Sequence, residues 1–377
     1  MKMKKTLLQT AAKRRWGLGM KSPSGYGRQP MIVSQVKKRT VSEQTVKQTA
    51  IETAFEREGG FSALLRRGGI FAAFLLMLLM LPAVSCADEQ PMEAEVPMTL
   101  TSPSAILCEA STGRVIFEKN ADERRPVASV NKVMTILLTL EAIDEGRASV
   151  EDRVTISSRA ASMGGSQAFL DAGESYKLGE LLKTVIVASA NDSAVALAEY
   201  LAGSEETFVK LMNARAGELG LANTHYVNCT GLPAQDHYTT ARDVAKLSAR
   251  LDLHPLYYKY STIWMDEIRH RGGRVTSLTN TNRLIRFYPG CDGYKTGSTN
   301  EARYCVSATA KKDGMRLIAV VLGTPAGQTR FDEARAMLEY GFANVQLVTP
   351  IAQGQAMDMT VPVRLGGRDA VSVVSGG

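Results

Sequence analysis

Apolar residues between positions 130 and 145 leave almost no polar face: Val130, Val133, Met134, Ile136, Leu137, Leu138, Leu140, Ala142 and Ile143. A stretch that is apolar on nearly all sides predicts a helix buried at the centre of a domain. Two more helices are predicted over 178–188 and 192–201, meeting at Ser189-Ala190-Asn191. Residues 208–219 and 240–251 read as amphipathic helices, and 332–342 as a helix that closes the region. Strand-like runs accompany them. Residues 104–110 and 114–118 flank the turn Ser111-Thr112-Gly113 and read as a β-hairpin, and 303–309 and 315–323 as two further strands. Past Phe342 the pattern changes to β-type segments, 356–365 and 370–374, around Gly366-Gly367-Arg368-Asp369. These look like the start of a second, all-β domain, and its roughly 30 residues are too few for a core of their own.

The longest uncharged apolar run is elsewhere, at 70–86, where Pro82 breaks it. Its 17 residues are short for a membrane span and suit the apolar core of an export signal. Arg66-Arg67 precede it, and Ser85-Cys86-Ala87 offers a small-x-small cleavage site before acidic Asp88-Glu89. A lipid-modified Cys86 and an uncleaved anchor are the competing readings. The lipid route is the weaker, because Ala83 stands where a large aliphatic residue belongs.

Charge sharpens this division. The net +7 is the sum of two unlike parts. Residues 1–69 carry 15 Lys/Arg against 4 Asp/Glu, while the rest carries 30 against 34. The basic character therefore belongs to the N-terminal segment, and the folded part offers no electrostatic case for nucleic acid. Any membrane contact would run through that N-terminal segment, if it is kept. Export would leave Cys108, Cys229, Cys291 and Cys305 in a compartment that permits disulfides. Their spacing does not resemble a metal site, and four small buried hydrophobes is an equal reading. His225, His237, His254 and His270 likewise show no ligand-like spacing, so neither a metal nor a cofactor is expected.

Three short elements carry candidate chemistry: Ser129-Val130-Asn131-Lys132, Ser189-Ala190-Asn191 and Lys295-Thr296-Gly297, spaced 60 and 106 residues apart. Alone, the first reads as an N-capping serine with a solvated lysine. A lysine on a helix this apolar needs a reason, however. Three residues apart, Lys132 shares a helix face with Ser129 and can reach its oxygen. Burial and a nearby second cation would depress its pKa and make it a base. Ser189 can relay a proton to a leaving amine, and Asn191 can hold a substrate carbonyl or the Lys132 amine. Lys295 and Thr296 could meet a carboxylate on a strand edge that binds an extended peptide. Gly297 would allow close backbone approach, and the N–H groups of Ser298 and Ser129 could form an oxyanion hole. Together these supply what acyl transfer through a serine ester requires.

The chain resembles the low-molecular-mass penicillin-binding proteins, serine-type D-alanyl-D-alanine carboxypeptidases of the kind common in spore-forming Gram-positive bacteria. The similarity runs from about Met98 to Phe342. It includes Glu109-Ala110-Ser111-Thr112-Gly113, Met163-Gly164-Gly165-Ser166-Gln167, Ser189-Ala190-Asn191-Asp192, Asn280-Thr281-Asn282-Arg283 and Asp292-Gly293-Tyr294-Lys295-Thr296-Gly297. The resemblance implies an α/β (α+β) fold, with a five-stranded antiparallel sheet and a helical subdomain. It implies Ser129 as acylated nucleophile, Lys132 as its base, and Ser189, Asn191, Lys295 and Thr296 as the rest of the site. Arg242, in Thr240-Ala241-Arg242-Asp243, would help hold the terminal carboxylate. Asn131 stands where many relatives have Thr, a change expected to be neutral. The implied partners are peptidoglycan stem peptides and β-lactam antibiotics. The expected division is a basic segment at 1–69, a signal peptide or anchor at 70–87, a linker at 88–97, a D,D-peptidase domain at 98–343 and an incomplete β-domain at 344–377. A D,D-endopeptidase, a β-lactamase and a catalytically silent wall-binding module are the alternatives. The β-lactamase is disfavoured, since no Glu-x-x-Leu-Asn element follows Ser189.

Overall fold

Seven of the strand segments, labelled in chain order, are β1 (Ser104–Glu109), β2 (Val115–Lys119), β3 (Met265–Arg269), β4 (Val275–Thr279), β5 (Cys291–Thr299), β6 (Arg303–Lys312) and β7 (Met315–Thr324); the short strands Arg153–Thr155 and Ser175–Lys177 pair with each other. They belong to a computed structural model that describes residues 31–33, 98–348, 356–362 and 370–374. The expected signal or anchor at 70–87 and the linker at 88–97 lie outside the described residues. Among the described residues no helix is long and apolar enough to cross a membrane.

Five of the strands form an antiparallel sheet in the order β2-β1-β7-β6-β5, and β3 pairs with β4 as a separate hairpin. The β7 residues from Leu317 to Leu322 are all fully buried, which explains their unbroken apolar run. Such a run marks a strand covered on both faces. Helix α7 (Thr329–Asn344) and helix α5 (Ala241–Leu251) both pack against β7. The edge strand β5 keeps one side unpaired, pairing only with β6, in the register Lys295 opposite Ser307 and Gly297 opposite Cys305.

Helix α1 (Lys132–Asp144) is the apolar stretch read from the sequence, and it contacts α2 (Leu178–Val187), α3 (Asn191–Ala202), α4 (Glu205–Glu218) and α5. Encirclement by four helices is why it carries so little polar surface. Capping sets the starts of its neighbours: Ser204 accepts from Thr207 N–H at the head of α4, and Thr240 from Asp243 N–H at the head of α5. Cys108, Cys229, Cys291 and Cys305 are all buried and free. Burial pushes the Cys108 and Cys291 thiols up to about 12 and Cys305 to about 11, so they behave as small hydrophobes. The segments at Ala356–Pro362 and Ala370–Val374 pair antiparallel with each other and belong to a unit separate from the main one.

Candidate active site

Ser129 lies in a single 3-10 turn, Ala128–Asn131, that runs directly into α1. Ala128 sits in the left-handed region at φ 49, which turns the chain sharply just before the serine. Two glycines from distant segments let other backbone press against this turn. A Cβ on Gly297 would come within 2.5 Å of Val127 O and 2.8 Å of Ser129 N. A Cβ on Gly231 would lie 2.0 Å from Ala128 O. The edge strand β5 and the 228–232 loop are thus both in backbone contact with the turn that presents Ser129.

The Lys132 side chain is wholly buried, and its Nζ donates to Ser129 Oγ at 2.8 Å and to Thr230 O at 2.7 Å. Neither partner is a carboxylate. Burial therefore dominates and brings the amine down to about 7, against a weaker upward pull from Cys229 and Asp192. Lys295 is buried as well and donates to Ser189 Oγ at 2.7 Å and Thr296 O at 3.0 Å. Burial, followed by the charges of Lys132 and Arg330, holds it well below the ordinary lysine range.

Ser189 occupies the break between α2 and α3 with φ 63, a left-handed conformation that stops one helix and starts the next. Asn191 opens α3; its Nδ2 donates to Gly164 O at 2.7 Å, and its Oδ1 is buried with no hydrogen-bond partner. Asp192 accepts from the N–H groups of Ala168 and Leu170, fastening the segment around Gly164 and Gly165 beside Asn191. Thr296 is buried and donates through Oγ1 to Thr281 Oγ1 at 2.7 Å. Ser298 is exposed at the next outward position of β5.

Hydrogen bonds and backbone approach thus link Ser129 with Lys132 and Gly297, and Ser189 with Lys295 and Thr296. Arg242 is not among them. Its guanidinium is held by Asp122 at 2.8 Å and Glu118 at 2.6 Å, so its donors point into a surface ion cluster. A different cation stands under β5. Arg330, in the first turn of α7, donates to Gly297 O at 2.9 Å and Cys305 O at 3.3 Å, and its buried Nε has no partner. The sequence reading assigned nothing to Arg330, Thr281 or Thr230. Thr281 was visible inside Asn280-Thr281-Asn282-Arg283, but Thr230 acts through its backbone carbonyl, which leaves no side-chain signature.

Asn131, the change expected to be neutral, is engaged at both ends of its amide. Its Oδ1 meets His237 Nε2 at 2.9 Å and its Nδ2 donates to Asn228 O at 3.1 Å, tying the turn to the loop that holds Lys132. Among the described residues, Asp171, Glu174 and His270 come close enough to share a metal ion. Their atoms are already engaged: His270 by Tyr176 and Thr276, Glu174 by Arg271 N–H, and Asp171 by Arg274. A cleft of about 770 Å³ between Tyr176 and Ile268 is lined by none of the catalytic candidates.

Residues 90–326 match the protein family described as D-alanyl-D-alanine carboxypeptidase. The chain is 46% identical over 243 residues to the D-alanyl-D-alanine carboxypeptidase DacF of Bacillus subtilis, covering 64% of this chain and 62% of that protein. It therefore spans less than two thirds of that relative's length. It is 36% identical to DacC of Escherichia coli over 84% of this chain and 78% of the relative. Among solved structures, penicillin binding protein 5 from Haemophilus influenzae aligns with a TM-score of 0.67 at 30% identity, covering 74% of this chain and 81% of that one.

Proposed function

The chain belongs to the D-alanyl-D-alanine carboxypeptidase family, and from that premise we propose that it removes the terminal D-alanine from peptidoglycan stem pentapeptides through an acyl-serine intermediate. The observation that carries this reading is Lys132: a fully buried amine, 2.8 Å from Ser129 Oγ, with Ser129 Oγ and Thr230 O as its hydrogen-bond partners and no carboxylate among them. A neutral Lys132 takes the Ser129 proton as Oγ attacks the carbonyl carbon between the two D-alanines. The N–H groups of Ser129 and Ser298 face the oxyanion. As the C–N bond breaks, Lys132 returns that proton to the leaving amine through Ser189, whose oxygen is held by Lys295, and is neutral again. Water then attacks the acyl carbon while Lys132 accepts its proton, and Lys132 passes that proton to Ser129 Oγ as the ester bond breaks. The unpartnered Asn191 Oδ1 is free to accept a substrate N–H.

A carboxypeptidase must recognise a free carboxylate. We assign this to Thr296 and to the permanent charge of Arg330 beneath Gly297, and not to Arg242, whose guanidinium is already taken. Penicillin presents a carboxylate and a strained amide to the same groups and should acylate Ser129. The substrate lies outside the cytoplasm, and the basic segment followed by the short apolar run supports export, with 70–87 as signal or anchor.

Mass spectrometry tests the reading. The protein should release one D-alanine from a free-acid D-Ala-D-Ala peptide, leave the amidated peptide intact, and carry a penicilloyl group on Ser129 that Ser129→Ala abolishes. Equal cleavage of the amidated peptide would favour an endopeptidase instead.

A further inference from the structure

A base must be aimed as well as neutral. The lone pair of the Lys132 amine has to face Ser129 Oγ, which leaves its N–H bonds to be placed elsewhere. Nζ donates to Thr230 O at 2.7 Å. Thr230 lies in the irregular loop 228–232, so the amine is aimed only as well as this loop is held.

Side chains from three elements hold it. From α1, Thr135 Oγ1 donates to Cys229 O at 2.7 Å, and from the nucleophile's turn Asn131 Nδ2 donates to Asn228 O at 3.1 Å. The third tie comes from the first turn of α4, where Glu205 is only 4% exposed and accepts from Cys229 N–H at 3.1 Å. A buried backbone N–H in an irregular segment has no ladder partner, and leaving it unpaired is costly. A carboxylate is a stronger acceptor than a neutral oxygen, but burying it requires a counter-charge. Arg159 supplies that charge at the other carboxylate oxygen. Arg159 belongs to the short helix Ser158–Ala161, which leads into the segment where Gly164 O takes the Asn191 amide. One ion pair therefore joins the loop that holds Lys132 to the segment beside Asn191.

The titratable groups acting on Lys132 are Cys229 from the loop and Asp192 from α3, and Lys295 on β5 feels the Lys132 charge in turn. Burial, and after it the Glu205 charge, push the Cys229 thiol well above its ordinary value, so it stays protonated. Glu205 reaches the base through the backbone that runs from Cys229 N to Thr230 O.

We propose that Glu205, clamped by Arg159, is a positioning residue for the base: it fixes Cys229 N–H, and with it Thr230 O, so that the Lys132 lone pair points at Ser129 and the amine stays out of water. The inference rests on the reading of Lys132 as the base of a D-Ala-D-Ala carboxypeptidase.

The test is the rate constant for penicillin acylation of the full chain against pH, in the wild type, Glu205→Ala, Glu205→Gln and Arg159→Ala, with the melting temperature of each. A rate constant does not depend on how much of a variant has folded. Glu205→Ala frees the loop, and its plateau should fall about tenfold or more. Its midpoint should also move up from about 7, because burial is the largest influence on Lys132 and water now reaches the amine. Arg159→Ala, at a side chain 55% exposed, should move both in the same direction by less. Glu205→Gln keeps an oxygen for Cys229 N–H and should lie between the wild type and Glu205→Ala. A lowered melting temperature with the midpoint unchanged in Glu205→Ala would make the glutamate structural only and overturn the assignment. Should Glu205→Ala bind no penicillin at all, a wild-type plateau and midpoint in Arg159→Ala overturns it. A wild-type protein that penicillin does not acylate at Ser129 would overturn the carboxypeptidase reading and the assignment with it.

Discussion

In the proposed mechanism Lys132 is the titrating base, because burial outweighs the weaker pull of Cys229 and Asp192. Only the neutral amine can take the Ser129 proton, and burial brings its pKa to about 7. The rate of penicillin acylation should therefore fall about tenfold per pH unit below pH 7 and level off above it. A limb centred near 10 would show that Lys132 is not depressed. The same shift has a consequence for stability. Between about 7 and the ordinary lysine value of 10.5 the unfolded chain binds more protons than the folded one, so this group's contribution to stability rises with pH across that window. At Arg330 and Arg242 the residue scale separates two cations of equal charge. Arg330→Gln should raise KM for D-Ala-D-Ala peptides by about tenfold or more, since a charge-assisted contact to a carboxylate is among the stronger polar interactions. Arg242→Gln should leave KM unchanged and cost at most about 1 kcal/mol of stability, because its ion pairs are largely solvated. Steady-state kinetics on the two variants decides between them.

Among the elements, the contact between the edge strand β5 and the Ala128–Asn131 turn matters most. Gly297 is extended and not at positive φ, so alanine fits its backbone conformation; the obstacle is the neighbouring backbone 2.5 Å from the added Cβ. Gly297→Ala should therefore push β5 away from the nucleophile. Misplacement of about 1 Å can cost about 10²-fold, so acylation should drop by that order while the far-ultraviolet circular dichroism stays native. Wild-type acylation in Gly297→Ala would mean that β5 does not form the wall of the site. Most elements were legible in the sequence. The helix read over 178–188 is Leu178–Val187, and that over 240–251 is Ala241–Leu251. The hairpin β3–β4 was not read, because its polar sequence has only Ile268 and Leu278 fully buried. The 3-10 turn was read as the start of α1, since hydrophobic periodicity does not distinguish the first turn's geometry.

At the scale of the whole molecule, the proposed targeting and the proposed chemistry call for the same compartment. The basic segment, the 70–86 run and Ser85-Cys86-Ala87 read as an export signal, and the proposed peptidoglycan substrate would require the same side of the membrane. N-terminal sequencing of the exported protein should find Asp88 as the first residue. A lipid-modified Cys86 would indicate the lipoprotein route and an intact N-terminus an anchor; recovery of active protein only from the cytoplasm would contradict export altogether.

By itself the sequence determined most of the elements and the local part of the candidate site. Ser129 and Lys132 are three residues apart, a spacing that lets them meet, and the apolar helix that buries the lysine brings them to 2.8 Å. The apolar circumference of α1 likewise dictated a buried helix, and with it a lysine forced towards neutrality. Only the tertiary structure decided which distant groups complete the constellation. Lys295 reaches Ser189 because β5 lies at the sheet edge against the turn, and Arg330 reaches Gly297 from α7, which packs on the neighbouring strands β6 and β7. Arg242 shows the converse: a residue in the expected motif whose guanidinium the fold commits to Asp122 and Glu118. The reason is physical. Spacing within a helix fixes distance through the backbone, whereas contacts between segments far apart in sequence depend on which faces pack, and that is settled by the burial of the whole core.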